Sequence, residues 1–117
     1  MGINISAWKI NGIEEVNDTY PDCLYTFFKK EKIPYWDICR YSGDKDFWMT
    51  DDLEWETRYE GDVESKHSFD ETYHRPKDLD KAIEWIKNKI HIGNQERWIK
   101  VLDNMKTDKD IYLTCSW

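Results

Sequence analysis

The sequence has no apolar stretch near the roughly 18 consecutive residues that a membrane-spanning helix requires. Its apolar runs are two or three residues long, as in Phe27-Phe28 and Phe47-Trp48-Met49. Positive charge is also short. The 117 residues hold 17 Lys and Arg against 24 Asp and Glu, for a formal charge of -7. That balance argues against a protein whose main task is to neutralise nucleic-acid phosphates. Cysteine is sparse: Cys23, Cys39 and Cys115 form no CxxC pair and leave one thiol over in any disulfide scheme, which fits a reducing compartment. The first residues, Met1 to Ile5, lack the basic region followed by an apolar stretch of a secretory signal, so Asn4-Ile5-Ser6 and Asn17-Asp18-Thr19 are glycosylation acceptors in pattern only. A cytoplasmic location is the resulting expectation.

Fingerprints of cofactor chemistry are missing as well. Neither GxxxxGK[ST] nor GxGxxG occurs, and Tyr41-Ser42-Gly43-Asp44 offers a turn with a single glycine rather than a phosphate cradle. Asp44 to Asp52 lacks the D-x-[DN]-x-[DN]-G spacing and closing Glu of an EF-hand loop. No arrangement of cysteine or serine beside a histidine marks a nucleophile and its base. The sequence implies no cofactor and gives no positive sign of an enzyme.

What is abundant is aromatic area. With 39% hydrophobic residues, 7 Trp and 7 Tyr, the chain has enough large apolar side chains for one core despite a mean hydropathy of -0.89. At this length a single compact domain spanning 1–117 is expected, and no repeat or low-complexity linker divides it.

Periodicity supplies the elements. Residues 3–10 alternate as a strand, and Asn11-Gly12 has the residue types of a two-residue hairpin turn, which would set Lys9 opposite Glu14 and Ile10 opposite Ile13. Leu24, Phe27 and Phe28 at helical spacing after Pro21 predict a short helix over 21–31, ending before Pro34. Over 52–60, Leu53, Trp55, Thr57 and Tyr59 alternate with Asp52, Glu54, Glu56, Arg58 and Glu60, giving a half-buried strand with an acidic outer face. Gly61 would turn the chain into a partner strand carrying Val63, Ser65, His67 and Phe69. Leu79, Ala82, Ile83, Ile86 and Ile90 predict a helix over 77–91, and Asn94 would cap a second over 95–106 with Trp98, Ile99, Leu102 and Met105 inward. Residues 111–117 alternate as a terminal strand that pairs inside a sheet. The order lacks a regular βαβ series, so the fold class is α+β: a small antiparallel or mixed sheet with helices on one face, including a C-terminal helix pair before the last strand.

The charge map carries the functional reading. Residues 44–64 contain nine carboxylates against Lys45 and Arg58, so the entire net charge of -7 lies there and the other 96 residues are neutral overall. On a strand, alternate carboxylates stand roughly 6.8 Å apart. Such a row repels itself, which makes it more informative than scattered surface acids, although a solvated edge that resists aggregation would look the same. The expected function is a small acidic protein-interaction module, of the inhibitor, immunity or anti-defence type. It would dock on a basic protein, including one whose own ligand is nucleic acid, while contacting neither nucleic acid nor membrane directly. The expected partner-binding residues are Trp48, Asp51, Asp52, Glu54, Glu56 and Glu60, with the aromatic Trp36 and Trp48 read as exposed. The alternative is a small metal- or ligand-binding enzyme domain. On a helix, His67, Asp70, Glu71 and His74 would share one face and could ligate a transition metal; on a strand they would split between faces. A third possibility, a structural subunit, would use the terminal strand as an exposed edge.

Overall fold

The computed structural model describes residues 4–19, 22–38, 42–62 and 69–116. Strands β1 (Asn4–Thr19) and β2 (Asp22–Asp37) are followed by a 3-10 segment (Ser42–Phe47), strands β3 (Trp55–Asp62) and β4 (Phe69–Pro76), helices α1 (Leu79–Lys89) and α2 (Ile92–Thr107), and strand β5 (Ile111–Ser116). The strands close a barrel in the order β1-β2-β3-β4-β5, and every ladder is antiparallel. The architecture is α+β, with one sheet, a helix pair and a terminal strand. No helix among the described residues is long and apolar enough to cross a membrane.

The first third of the chain departs from its local signals. The helix expected over 21–31 is not formed: residues 22–31 belong to β2, which pairs with β1 from Thr19↔Asp22 back to Ser6↔Asp37. Cross-strand pairing over the whole length of β1 outweighs the helical spacing of Leu24, Phe27 and Phe28, and the strand puts Phe28 inside and Phe27 outside. Nor is Asn11-Gly12 a turn. Ile10 pairs with Lys30 and Gly12 with Lys29, so Asn11 is the extra residue of a β-bulge, and Lys9 faces Glu31 rather than Glu14. Between Ser6↔Asp37 and Trp8↔Lys32 the single residue Ala7 opposes Ile33 to Trp36. That larger irregularity holds Pro34, which has no N–H to give a ladder, and Tyr35 at φ 62. The bulges matter for closure. Straight strands in a ring of five cannot all be antiparallel to their neighbours, and local bending with strand twist resolves the odd count.

The sheet has two differently furnished faces. Ile5, Ala7, Ile111 and Leu113 meet Ala82, Ile83 and Ile86 of α1 and Trp98, Val101, Leu102 and Met105 of α2, with Phe47, Ile38 and Leu53 completing the main core. Each fully buried side chain of this size contributes roughly 1.5–3 kcal/mol relative to exposure. The opposite face carries a second cluster of Ile10, Phe28, Tyr73 and Tyr112, flanked by Trp8. Phe28 of β2 touches Tyr73 of β4 at 5.2 Å, and Arg58 of β3 lies 5.5 Å from the Tyr112 ring of β5. Neither pair of strands is adjacent, so these side chains meet across the barrel lumen.

Asp78 caps α1 through its side chain, which accepts from the Lys81 amide at 3.1 Å. The cap of α2 is His91, not Asn94; its Nδ1 accepts from Gly93 N at 3.0 Å. Asn94 is instead buried within the helix, where its Nδ2 donates to Ile38 O at 3.0 Å and to Asp44 Oδ2, tying the end of β2 and the 3-10 segment to α2. At the other end of α2, the buried Arg75 guanidinium donates to the carbonyls of Met105 (2.9 Å), Asp108 (3.2 Å) and Ile111 (3.1 Å). A cation among the terminal carbonyls of a helix answers both their missing partners and the helix dipole. β5 then runs between β1 and β4, pairing with β1 along its length and with β4 at Leu113 and Thr114.

Candidate functional site

The acidic stretch folds into two environments. After the 3-10 segment, tight turns bring Thr50 N to Phe47 O (3.2 Å) and Leu53 N to Thr50 O (3.3 Å), with Met49 at φ 56. Leu53 is buried and anchors this loop in the core beside Phe47. Phe47 is fully buried, its ring edge-on to those of Trp55 (5.3 Å) and Trp98 (4.8 Å). Two indoles then hold the loop from outside: Trp55 Nε1 donates to Thr50 O at 3.0 Å, and Trp85 Nε1 of α1 donates to Asp52 Oδ2 at 2.8 Å. Lys77 N donates to Glu54 O at 3.0 Å, prolonging the β3–β4 ladder by one step.

On this platform Asp51, Asp52, Glu54 and Glu56 are all exposed. The first three, with Leu53 and with Lys77, Asp78 and Lys81 from the entry to α1, line a hollow of about 350 Å³. Lys77, Asp78 and Lys81 were not legible as neighbours, because they reach the hollow only through the β4–α1 junction. Trp48 and Trp36 are half-buried rather than exposed: Trp48 packs edge-on to His74 (5.0 Å) and tilted to Trp55 (6.5 Å), and Trp36 packs on Trp8 at 5.6 Å. The exposed apolar side chain of the loop is Met49, at 40%.

Glu60 and Arg58 leave the acidic surface. The face they share is enclosed by barrel closure, which an open sheet would have left to solvent. Glu60 is buried, accepts from Phe28 N at 2.5 Å and lies 3.7 Å from Lys30 Nζ. Glu60 and Gly61 are strand residues rather than a turn. In the lumen, Lys30 Nζ donates to Tyr73 OH at 2.5 Å, and Arg58 stacks on Phe28 at 4.8 Å.

The proposed metal ligands are not gathered by a helix. Residues 70, 71 and 74 lie on strand β4, and His67, like Val63 and Ser65, lies outside the described residues. His74 is buried, with Nδ1 2.8 Å from Thr57 Oγ1, and burial holds its pKa below the ordinary imidazole value. Among the described residues, no group of three or more His, Cys, Asp or Glu is placed to hold a metal ion. Cys115 is half-buried and packed against the main core. Elsewhere, a hydrogen bond from Lys9 holds the Asp108 carboxyl below its usual range, and the same contact (2.8 Å) raises the Lys9 ammonium.

No family model, curated protein or solved structure matches the chain. Function is therefore argued from the site itself.

Proposed function

We propose that the protein is a small acidic docking module that binds a basic protein through Asp51, Asp52, Glu54 and Glu56 and blocks the surface it covers, in the manner of an inhibitor. The observation that carries this reading is the exposure of these four carboxylates on one braced loop and strand start, the first three of them lining a hollow. Their platform is pre-organised. Leu53 and Phe47 are fixed in the core, and Trp55 and Trp85 fasten Thr50 and Asp52, so little backbone freedom remains to be lost on binding. Carboxylates held in this way favour Lys and Arg of a partner, raise the association rate and make it sensitive to salt. A partner whose basic surface serves nucleic acid would have that surface occupied by carboxylates in place of phosphates. Met49 supplies the exposed apolar contact beside the charged groups, and Trp48 keeps the loop in position from behind.

The test compares the wild-type chain with a Glu54→Lys, Glu56→Lys variant as bait, at low and high salt. The reading expects a basic partner held by the wild type, released by salt and lost with the reversal, and displaced from its nucleic acid when it has one. Capture that is indifferent to both salt and charge reversal would return the carboxylates to a solubilising role.

A further inference from the structure

Among the described residues, two that are not glycine sit in left-handed backbone, Tyr35 at φ 62 and Met49 at φ 56. For a bulky side chain this conformation is strained, and it persists where other contacts offset the cost or where the strain serves a function. At Tyr35 the offset is visible. Lys100 Nζ donates to the Tyr35 hydroxyl at 3.0 Å, and the Lys100 and Arg97 cations lie 4.8 and 5.4 Å from the centre of its ring.

At Met49 the fold supplies no comparable offset. Its side chain is 40% exposed and belongs to neither apolar cluster. The backbone on both sides is held: Trp48 N donates to Lys45 O at 3.1 Å, Thr50 N donates to Phe47 O at 3.2 Å, and Thr50 O accepts from Trp55 Nε1 at 3.0 Å. This turn therefore requires a left-handed residue at position 49 but not a methionine. Glycine or asparagine would take the same φ with less strain and would expose no thioether to water. The strain and the exposed apolar area both become intelligible when the side chain is a contact group, held outward on a fixed loop and followed directly by Thr50 and the exposed Asp51 and Asp52. An unbranched thioether adapts to the shape of what it meets, and its sulfur is favourable against an aromatic ring.

We propose that Met49 is the apolar anchor of the docking surface, and that the partner meets it with a basic segment carrying a large aromatic side chain among its lysines and arginines. This rests on the docking function proposed above and specifies what that function leaves open. The carboxylates govern how fast the partner arrives and at what salt, whereas Met49 governs how long it stays and which basic segment is chosen.

The experiment is an NMR titration of the whole chain, labelled at its methionine methyl groups, with two short synthetic peptides. They are alike in length and in their lysines and arginines, one with phenylalanine at its centre and the other with serine. The Met49 methyl reports the contact, and the methyl of Met105, buried in the main core, is the internal reference. The proposal expects both peptides to bind in a salt-sensitive way, the phenylalanine peptide at least about fivefold more tightly, with the Met49 signal moving and the Met105 signal still. Met49→Asn, which suits left-handed backbone, should bring the two affinities within about twofold of each other without lowering the urea midpoint, and Met49→Leu should keep most of the preference. Equal affinities for the wild type, an unmoved Met49 methyl, or a preference that survives Met49→Asn would overturn the anchor and leave electrostatic docking standing. Binding of neither peptide would count against the docking function and remove the anchor with it. A Met49→Asn chain that unfolds at clearly lower urea, or fails to fold, would assign the thioether to packing and also overturn the proposal, while the comparison of the two peptides on the wild type needs no variant.

Discussion

Replacing Arg75 by Met removes the side chain that joins the end of α2, the loop after it and the start of β5. The guanidinium donates three hydrogen bonds, to Met105 O, Asp108 O and Ile111 O, and is buried, with its carbon 5.7 Å from the Tyr112 ring. A hydrogen bond to a charged group contributes about 1.5–3 kcal/mol, which for three bonds gives roughly 5–9 kcal/mol before the cost of burying the cation. Desolvating a guanidinium takes back several kcal/mol, since a buried charge is expensive even when well paired. The carbonyls left behind lose their partners in the buried part of the site, and a Met of similar length refills the volume but not the donors. The net expectation is a loss of about 3–5 kcal/mol, a large share of the 5–15 kcal/mol that stabilises a typical domain. At about 4 °C per kcal/mol for a chain of this size, the melting temperature falls by about 12–20 °C. Arg75→Lys should recover less than half, because one ammonium cannot reach three carbonyls spread over seven residues as a planar fork does. Urea unfolding monitored by tryptophan fluorescence measures both, with an unchanged m-value as the sign that stability alone has moved. A loss below about 1 kcal/mol in Arg75→Met would refute the view that this guanidinium closes the end of α2.

Two further expectations concern buried polar groups. Asn94→Ala deprives Ile38 O and the buried Asp44 carboxylate of a donor, so a destabilisation of about 2–4 kcal/mol is expected in the same urea assay, whereas a surface-like change under about 0.5 kcal/mol would count against the tie between β2, the 3-10 segment and α2. Burial lowers the pKa of His74 below 6.5, so between its folded and unfolded values the unfolded chain binds the extra proton and stability falls as pH drops below about 6.5. Asp108, lowered by its hydrogen bond from Lys9, adds a loss further down, as pH falls through the carboxylate range. His74→Gln should flatten the first of these two declines in urea midpoints measured across the range; an equal slope in the variant would assign it to other groups.

Some of this was written locally. The α1 stripe of Ala82, Ile83 and Ile86, with Asp78 at its head, needs only helical periodicity and a cap, and the alternation of Ile111 and Leu113 with Tyr112 needs only a strand with two covered faces. The acidic segment was equally plain, because charge is a property of composition. Leu24, Phe27 and Phe28 misled because an apolar run of that length fits a helical face or a strand, and only the partner β1 decides between them. Asn11-Gly12 has the chemistry of a tight turn, yet β1 keeps pairing with β2 as far as Thr19↔Asp22, and the Asn-Gly pair becomes part of a bulge.

The sequence by itself determined where the net charge lies, that aromatic area suffices for a core, and which segments at the C-terminal end are helix and strand, since these depend on residue type and short-range spacing. Tertiary structure decided what the charges do. Barrel closure drew Arg58 and Glu60 into the lumen while Asp51, Asp52, Glu54 and Glu56 stayed in solvent, and strands distant in sequence brought Lys30, Arg58, Tyr73 and Tyr112 to one aromatic space. A period of two tells which residues share a face, but which face is enclosed is set by how the sheet bends and closes, and that rests on pairings tens of residues apart.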